Sequence, residues 1–247
     1  LLMDFHFFDL LIILTVIFST LQTIAGVGIL VIGTPILLLM DMKMLDLMSF
    51  LLPLSIFNSL LNITFLKFRN HKLTIDKNTK KYFFLLCLPA IFFGLFFLNQ
   101  FDEYINLNIL VSIVIWLSLS LPIIYKNIYN LKILKKILIF LTGFVHGITN
   151  SGGSLLSLLL INVVNKKIDL ARIQIIFFYL FLALFQYVII VIFTKIEFLE
   201  NLGFINFLAI LFGVILGNCI VNKFSFYEIK KIIQILAFIS SIFLISS

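Results

Sequence analysis

Long apolar runs separated by short polar loops are the feature that most constrains the fold of this chain. Eight such runs occur, at roughly 7–40, 45–66, 82–99, 107–125, 137–163, 170–194, 203–222 and 229–246. A helix needs about 20 apolar residues to cross the hydrocarbon core of a membrane, and most of the runs are close to that length. No loop between them is long enough to form a soluble domain. The sequence therefore predicts an all-α polytopic membrane protein, with one transmembrane domain over residues 1–247.

Charged residues are too scarce for a soluble protein of this size. They make up 12% of the chain, whose mean hydropathy is +1.22, whereas soluble domains carry about 25%. The net charge of +7 comes from Lys and Arg in the loops, where they fix orientation, so we expect a lipid bilayer as partner and no nucleic acid. No nucleophile–base pair or metal-ligand spacing occurs, so we expect no enzyme activity, metal or other cofactor. Cys87 and Cys219 lie inside apolar runs and are predicted to be buried thiols.

The first and fifth runs are longer than the others, and each is interrupted by glycines. They read QTIAGVGILVIGTPILLL over 22–39 and FVHGITNSGGSLLSLLL over 144–160. Each glycine weakens a helix by about 1 kcal/mol relative to alanine, and Pro35 lacks a hydrogen-bond donor. A broken backbone at membrane depth is tolerated only where protein or water surrounds it. We therefore expect both breaks to face the interior, each followed by a half-helix, near 29–40 and 153–164.

The chain also resembles itself after a shift of 124 residues. The shift places Gln22 on His146, Gly26 on Asn150, Gly28 on Gly152 and Asn62 on Gln186. In both halves a long broken run precedes three ordinary runs. This pattern predicts two internal repeats, 1–125 and 126–247, each of about four helical segments, and such repeats are typical of secondary transporters.

The distribution of Lys and Arg bears on the topology. If every run crosses the membrane, the 18 basic residues divide as 11 on one side and 7 on the other. If the two broken runs are re-entrant and return to the side they came from, the division becomes 16 against 2. The second arrangement agrees better with the positive-inside rule and makes the repeats inverted. A long kinked crossing remains the alternative for each broken run.

Two half-helices that begin near the midplane would create a site for a small anion. The free N–H groups and positive dipole end of each helix attract negative charge without a buried Lys or Arg. The predicted substrate-binding residues are those at or near the breaks: Gln22, Gly26, Gly28, Asn62, His146, Asn150, Ser151, Gly152, Gly153 and Gln186. In the second run Asn58 and Asn62 share one helix face, and Ser55 and Ser59 share a face as well, so these side chains are also expected to face the cavity. The alternative is structural, because small residues allow close helix packing and polar ones bond across helices.

His146 is the one acidic or basic side chain in the hydrophobic part of the fifth run. An ionisable group inside a membrane is a functional candidate, and imidazole changes charge near neutral pH, so His146 could carry a coupling proton. It could equally be a neutral histidine bonded to Asn150. Coupling to Na⁺ instead of a proton, and a homodimer, are further arrangements that the sequence allows.

The glycine-rich segments resemble those of the TauE/SafE sulfite exporter family. Its first motif is similar to GxGGGxxxxP, which Gly26, Gly28 and Pro35 match, with Ile29 and Leu30 in place of two glycines. Gly147, Gly152 and Gly153 match the related second motif, and Ser154 stands where proline is common. The resemblance covers essentially the whole chain. It implies a transporter of the bacterial inner membrane for sulfite, an organosulfonate or another small anion.

The sequence therefore favours a secondary transporter that works by alternating access, with one half rocking against the other around a central site. The competing hypothesis is a membrane assembly or scaffold protein whose glycines serve only helix packing. A polar centre at the glycine breaks favours the transporter, and an apolar packed centre favours the scaffold.

Overall fold

The computed structural model describes residues 2–68, 75–101, 104, 106–124, 132–163, 168–193, 203–223 and 225–246. Every regular element in those ranges is helical. In chain order the α-helices are α1 (Leu2–Ala25), α2 (Ile29–Leu39), α3 (Met44–Phe68), α4 (Lys77–Tyr82), α5 (Leu88–Phe101), α6 (Leu107–Ile124), α7 (Lys132–Thr149), α8 (Gly153–Val163), α9 (Ile168–Phe193), α10 (Phe204–Ile220) and α11 (Phe226–Ser246). A π-helical segment, Phe83–Cys87, joins α4 to α5, and a 3₁₀ turn, Val221–Lys223, follows α10.

The helices have the length and the surface of a multi-pass membrane protein. Within the described residues, three helical stretches are long and apolar enough to cross a membrane alone: Met44–Phe68, Lys77–Phe101 and Arg172–Phe193. Shorter apolar helices include Asp9–Ala25, Leu107–Leu117 and Phe204–Ile220. Large apolar side chains such as Phe96, Trp116 and Ile192 are exposed, as expected for groups that face lipid. The prediction of an all-helical membrane protein is confirmed.

Helix pairing follows the 124-residue shift. The shift carries α1 onto α7, α2 onto α8, α3 onto α9, the α4–α5 helix onto α10, and α6 onto α11. In space α1 packs along α10, and α7 packs along α5. The shift aligns α1 with α7 and α5 with α10, so the two pairs correspond to each other. In two further pairs, α3 with α9 and α6 with α11, the helices that pack together are also the ones that the shift aligns.

The helices can be grouped around the two tight pairs α1–α10 and α5–α7, and this grouping differs from the two predicted sequence repeats. We call α1, α2, α3, α10 and α11 the terminal body, and α4 to α9 the central body. Within the terminal body α1 contacts α10, α2 contacts α3 and α11, and α3 contacts α10. The corresponding contacts of the central body are α7 with α5, α8 with α9 and α6, and α9 with α5. The main contacts between the bodies are α3 with α9 and α6 with α11.

Glycines allow the closest helix contacts, and these contacts lie within the bodies. A Cβ atom added at Gly143 on α7 would lie 2.0 Å from the carbonyl oxygen of Cys87, and one at Gly147 would lie 2.4 Å from that of Ile91. In the terminal body, a Cβ at Gly213 would lie 2.6 Å from the Cβ of Ser19. Backbones that approach this closely form extensive van der Waals contact, as in other membrane helix pairs. The α5–α7 and α1–α10 pairs should therefore each move as one unit.

A polar cluster at the start of α4 also ties it to α7. Asp76 caps α4 by accepting hydrogen bonds from the backbone N–H and hydroxyl of Thr79, and its Oδ2 lies 3.5 Å from Nζ of Lys135 on α7. Partial burial raises the pKa of Asp76, but the bonds from Thr79 and the charge of Lys135 outweigh it and hold the pKa below its usual value. Lys136 lies over the ring of Tyr82, 5.0 Å from its centroid. This end of the central body is thus held by polar contacts as well as by packing.

The two cysteines have different surroundings. Both are free thiols, and Cys87 is fully buried against α7, as predicted. Cys219 is exposed on the outer surface of α10. The prediction of a buried thiol is therefore wrong for Cys219, because an apolar run in a membrane helix also has a face that points to lipid.

Candidate functional site

The two breaks have the same backbone geometry. After α1, Gly26 has a φ of 81°, and its N–H donates to the carbonyl of Gln22 at 2.8 Å. After α7, Asn150 has a φ of 57°, and its N–H donates to the carbonyl of His146 at 2.9 Å. Glycine and asparagine are the residues that most readily adopt the left-handed conformation, which commonly ends a helix. The residues that the 124-residue shift aligns therefore stop their helices in the same way.

The half-helices α2 and α8 begin directly after the breaks. Ile32 donates to the carbonyl of Gly28 at 2.9 Å, and Leu156 donates to that of Gly152 at 3.1 Å. At about 1.5 Å per residue, the 11 residues of each helix reach only about half the thickness of the hydrocarbon core. The half-helices predicted for 29–40 and 153–164 are therefore present within a residue of their expected bounds.

Gly28 and Gly152 are needed for the close packing of each break against the helix that precedes it. A Cβ at Gly28 would lie 2.6 Å from the backbone nitrogen of Gln22, and one at Gly152 would lie 2.5 Å from the carbonyl oxygen of Thr142. Both glycines thus turn the side that lacks a side chain toward the preceding helix. Their approach to a ligand remains a prediction, and a bulky residue at either place would disturb the fold before it tested binding.

At the first break, the chain's own side chains occupy the start of the half-helix. The Oε1 of Gln22 accepts a hydrogen bond from the N–H of Ile29 at 3.2 Å. Its Nε2 donates to the hydroxyls of Ser55 at 3.3 Å and Ser59 at 3.1 Å, both on α3. Gln22 is 1% exposed. The start of α2 is therefore satisfied by a buried amide that α3 holds in place.

Tyr179 connects the two breaks, a role that was not predicted from the sequence. This fully buried residue of α9 accepts a hydrogen bond at its hydroxyl oxygen from the N–H of Leu30, at 3.2 Å. Its ring also covers the start of α8, because a Cβ at Gly153 would lie 2.2 Å from Cε2 of the ring. One signal in the sequence could have found it: the 124-residue shift aligns Tyr179 with Ser55, which bonds Gln22 at the first break.

The second break holds buried polar atoms that have no hydrogen-bond partner. Both ring nitrogens of His146 lack one, and so do Oδ1 of Asn150 and Oε1 of Gln186. All three side chains have an exposed fraction of 0%. Their remaining polar groups hold them in position: the Nε2 of Gln186 donates to the carbonyl of His146 at 3.1 Å, and the Nδ2 of Asn150 donates to the hydroxyl of Thr34 on α2 at 3.1 Å.

The surroundings of His146 differ from those of a purely structural histidine. A structural role predicted a hydrogen bond to the Asn150 side chain, whereas the imidazole has no such bond. The His146 side chain leaves α7 beside Gly152, since a Cβ at Gly152 would lie 2.6 Å from that of His146. The backbone of His146 is therefore held by hydrogen bonds, whereas its imidazole ring has none, and the residue lies immediately before the second half-helix.

The other predicted residues fall into two groups. Ser151 is buried in the second break, where its N–H and hydroxyl both bond to Thr149. Asn62 lies in the terminal body, where its Nδ2 donates to Thr23 at 3.0 Å and to Asn58, while its Oδ1 has no partner. The structure brings His146, Asn150, Ser151, Gly152, Gly153 and Gln186 together at one break, and Gln22, Gly26 and Gly28 at the other. Asn62 bonds to the helix that precedes the first break.

The two breaks are closed to solvent in this conformation. Gly26, Gly28, Gly152 and Gly153 are buried along with the polar side chains of both breaks. A cavity of about 280 Å³ lies elsewhere, lined mainly by apolar residues of α3, α5 and α9: Leu45, Phe92, Leu95, Phe96, Asn99, Ile189, Ile190 and Phe193. A solute could therefore reach either break only after some of the surrounding helices move.

Comparison with known proteins identifies the family. Searches of curated proteins and of solved structures found no match. The family model described as sulfite exporter TauE/SafE matches residues 11–244, a range that includes both glycine breaks and nearly the whole chain. The resemblance noted in the glycine-rich segments is thereby confirmed, and with it the assignment to a family of membrane transporters. The chain belongs to the TauE/SafE sulfite exporter family.

Proposed function

We propose that this protein is a secondary transporter of the bacterial inner membrane that moves a small oxyanion, such as sulfite or an organosulfonate, by alternating access. The observation that carries the proposal is the His146 ring at the second break, whose two buried nitrogens have no hydrogen-bond partner. Such atoms are costly in an apolar interior unless they have a function or a ligand. They lie directly before a half-helix whose positive dipole end favours an anion.

A binding screen followed by a flux assay tests this function. Purified protein should gain thermal stability in sulfite or an alkyl sulfonate, because a ligand that binds only the folded state stabilises it by mass action. Choline chloride at equal ionic strength is the control. Liposomes that contain the protein should then accumulate the same anion faster than empty liposomes. A well-folded protein that neither binds nor transports any of these anions would favour the scaffold hypothesis.

The proposal includes inverted repeats with re-entrant first segments. Its support is the 16-to-2 division of basic residues and the matching backbone geometry of the two breaks. Parts of the loops at 67–81 and 126–136, which should face the cytoplasm, lie outside the described residues, namely 69–74 and 126–131. Lys43 and Lys223, both described and exposed, decide between the two topologies. They lie on opposite sides if the broken runs are re-entrant, and on the same side if all eight runs cross.

Cysteine labelling in whole cells should separate these two residues. In a background without Cys87 and Cys219, an impermeant maleimide should label Lys43→Cys from outside and leave Lys223→Cys unlabelled until the membrane is permeabilised. Asn78→Cys at the exposed start of α4 should behave like Lys223→Cys. Equal labelling of the cysteines at 43 and 223 would show that the second broken run crosses the membrane.

We place the moving boundary between the terminal and central bodies rather than between the sequence halves. Rocking of 1–125 against 126–247 would have to separate α1 from α10 and α5 from α7, the pairs in closest glycine contact. Movement between the bodies leaves both pairs intact. It instead changes the α3–α9 and α6–α11 contacts and the two bonds that cross at the breaks, from Asn150 to Thr34 and from Leu30 to Tyr179.

Pairs of cysteines bridged by a short thiol-reactive cross-linker should distinguish these boundaries. Phe57 and Phe207 pack within the terminal body with ring centroids 5.2 Å apart, so a bridge between cysteines there should leave anion flux near the unbridged level. Trp116 and Ser241 are hydrogen-bonded across the two bodies at 2.8 Å, so a bridge there should abolish flux until it is removed. Both pairs link the two sequence halves. Rocking of the halves therefore predicts that both bridges block transport.

A further inference from the structure

The two breaks share a backbone geometry but differ at the residue that precedes each turn. Gln22 and His146 are aligned by the 124-residue shift, and each carbonyl accepts the bond that ends its helix. Gln22 then uses its side chain to bond the start of α2, and glutamine cannot take up a proton near neutral pH. His146 has a side chain that can, and neither ring nitrogen has a partner. One break is therefore satisfied internally and carries no titratable group at this position, whereas the other is unsatisfied and carries one.

We infer that the second break is the single anion site of the protein, and that it binds its anion together with one proton on His146. This inference rests on the proposed transport function. The ligand class is an oxyanion whose oxygens accept hydrogen bonds from the imidazolium and from backbone N–H groups at the start of α8. The proton is taken up from water on the side to which the site is open, and it leaves with the anion on the other side.

Charge neutrality gives the physical reason. The dipole of a helix end is equivalent to only about half an elementary charge, which does not neutralise a buried anion. Burial of an unpaired charge in a membrane interior is costly, and the cost falls when an opposite charge is buried beside it. An imidazolium at 146 supplies that charge, and the start of α8 adds to it. The pair is close to neutral and can remain in the closed conformation, in which His146 has no solvent exposure.

The first break does not offer an equivalent site. The N–H groups of Ile29 and Leu30 already donate to Gln22 and to Tyr179. An anion there would have to displace two buried, hydrogen-bonded side chains, one of which is held by Ser55 and Ser59. At the second break neither ring nitrogen of His146 has a partner, so an imidazolium there could donate to an anion without giving up a bond to another side chain.

The neighbours of His146 bear on its protonation. The elements packed against α7 are the α4–π–α5 helix, α6, α8 and α9. Cys87 faces Gly143, and Tyr179 covers Gly153. Tyr187 and Arg172 also lie on α9 with contacts of their own. Among the described residues α6 and α8 carry no charged side chain. The charged side chains of α4 are Lys77, Lys80 and Lys81, and this helix meets α7 at the end that carries Lys135, which bonds Thr79. A bound anion is thus the partner that would favour an imidazolium here.

The test measures protons and anion binding together. Protein in detergent is titrated with sulfite and with methanesulfonate in a weakly buffered solution that contains a pH indicator. Methanesulfonate does not titrate near neutral pH, so any proton that is taken up from solution when it binds must be held by the protein. Wild-type protein should take up close to one proton more per bound anion than the His146→Gln variant. Its apparent Kd should also rise by about tenfold per pH unit once His146 is deprotonated in the free protein.

His146→Gln places at the second break the residue that already occupies the first. Its Kd should be weaker than that of wild type at low pH and nearly independent of pH. Thr64→Val, which removes an exposed hydroxyl bonded only to its own helix, should bind and take up protons like wild type. Gln22→Leu should retain proton-linked binding if it folds.

Three results would count against the inference, and they are distinguishable. Anion binding with the same proton uptake in wild type and His146→Gln would overturn the inference and leave the transport function standing. A Gln22→Leu variant that folds but does not bind would place the site at the first break. Binding of neither anion by folded wild-type protein would overturn the proposed function and the inference together.

Discussion

Replacement of Gly143 by alanine should strongly destabilise the protein. The new Cβ would lie 2.0 Å from the carbonyl oxygen of Cys87 and 2.8 Å from its carbonyl carbon, so two helix backbones must separate. Over-packing of this kind typically costs about 1–3 kcal/mol and occasionally more. A contact between backbones cannot relax by rotation of a side chain, so we expect a loss at the upper end of that range, about 3 kcal/mol. The loss should appear even though alanine favours a helix by about 1 kcal/mol over glycine.

The measurement is the melting temperature in detergent, together with the fraction of protein that elutes as a single species. Gly94→Ala, whose Cβ would lie 2.2 Å from the carbonyl oxygen of Phe144, should behave in the same way. Gly203→Ala is the matched control, because no atom lies within 4 Å of its added Cβ, and it should change stability by less than about 0.5 kcal/mol. If Gly143→Ala melted at the same temperature as Gly203→Ala, the close backbone contact at Gly143 would not hold the two helices together.

The positions of the breaks could be predicted because their cause is local. Glycine at 26 and asparagine at 150 are residue types that allow a positive φ, and both proved to have one. Glycine, proline and polar residues inside a long apolar run interrupt the helix, and at membrane depth such a break is stable only where protein or water surrounds it. The burial of Asn62 and Gln186 follows from the same argument, since an amide that faced lipid would lack partners.

Partners that are distant in the sequence could not be predicted. Tyr179 stands in an apolar run with many aromatic residues, where a tyrosine that bonds residue 30 looks like one that only packs. The pairing of α1 with α10 was missed for a similar reason. The spacing of apolar residues shows which face of a helix is buried, but in a membrane all faces are apolar, and the partner is chosen by shape. The glycines at 143, 147 and 213 carry that information only when the facing helix is known.

The shift of 124 residues is more informative once the structure is known. It aligns Gln22 with His146 and Ser55 with Tyr179, so the same places near the breaks hold polar residues of different chemistry. A duplicated chain that kept both sites identical would have the same residue at both places. The first break uses these residues to bond itself, and the second leaves several of them unbonded. This difference lets backbone and side-chain roles be separated experimentally at Asn150.

Asn150→Gly should fold normally and transport poorly. Glycine adopts a φ near 57° without strain and occupies the aligned position 26, so the turn and its N–H bond to His146 should remain. The substitution removes the Nδ2 bond to Thr34, which crosses the two bodies, and the unpartnered Oδ1 at the proposed site. The Nδ2 of Asn150, once released from Thr34, is the group of this amide that can donate to an anion. A hydrogen bond to a charged ligand is worth about 1.5–3 kcal/mol, so anion flux at low substrate concentration should fall by roughly 10- to 100-fold.

Asn150→Ala and Asn150→Asp complete this experiment. Alanine removes the same amide but also strains the left-handed turn, by about 1–2 kcal/mol, so it should lose both flux and thermal stability. Aspartate keeps the shape and places a like charge beside the anion, so it should transport least of all three variants. The control is Asn218→Ala, because that amide bonds only to its own helix, at the carbonyl of Val214. Flux at the wild-type level in folded Asn150→Gly would show that Asn150 serves only the turn.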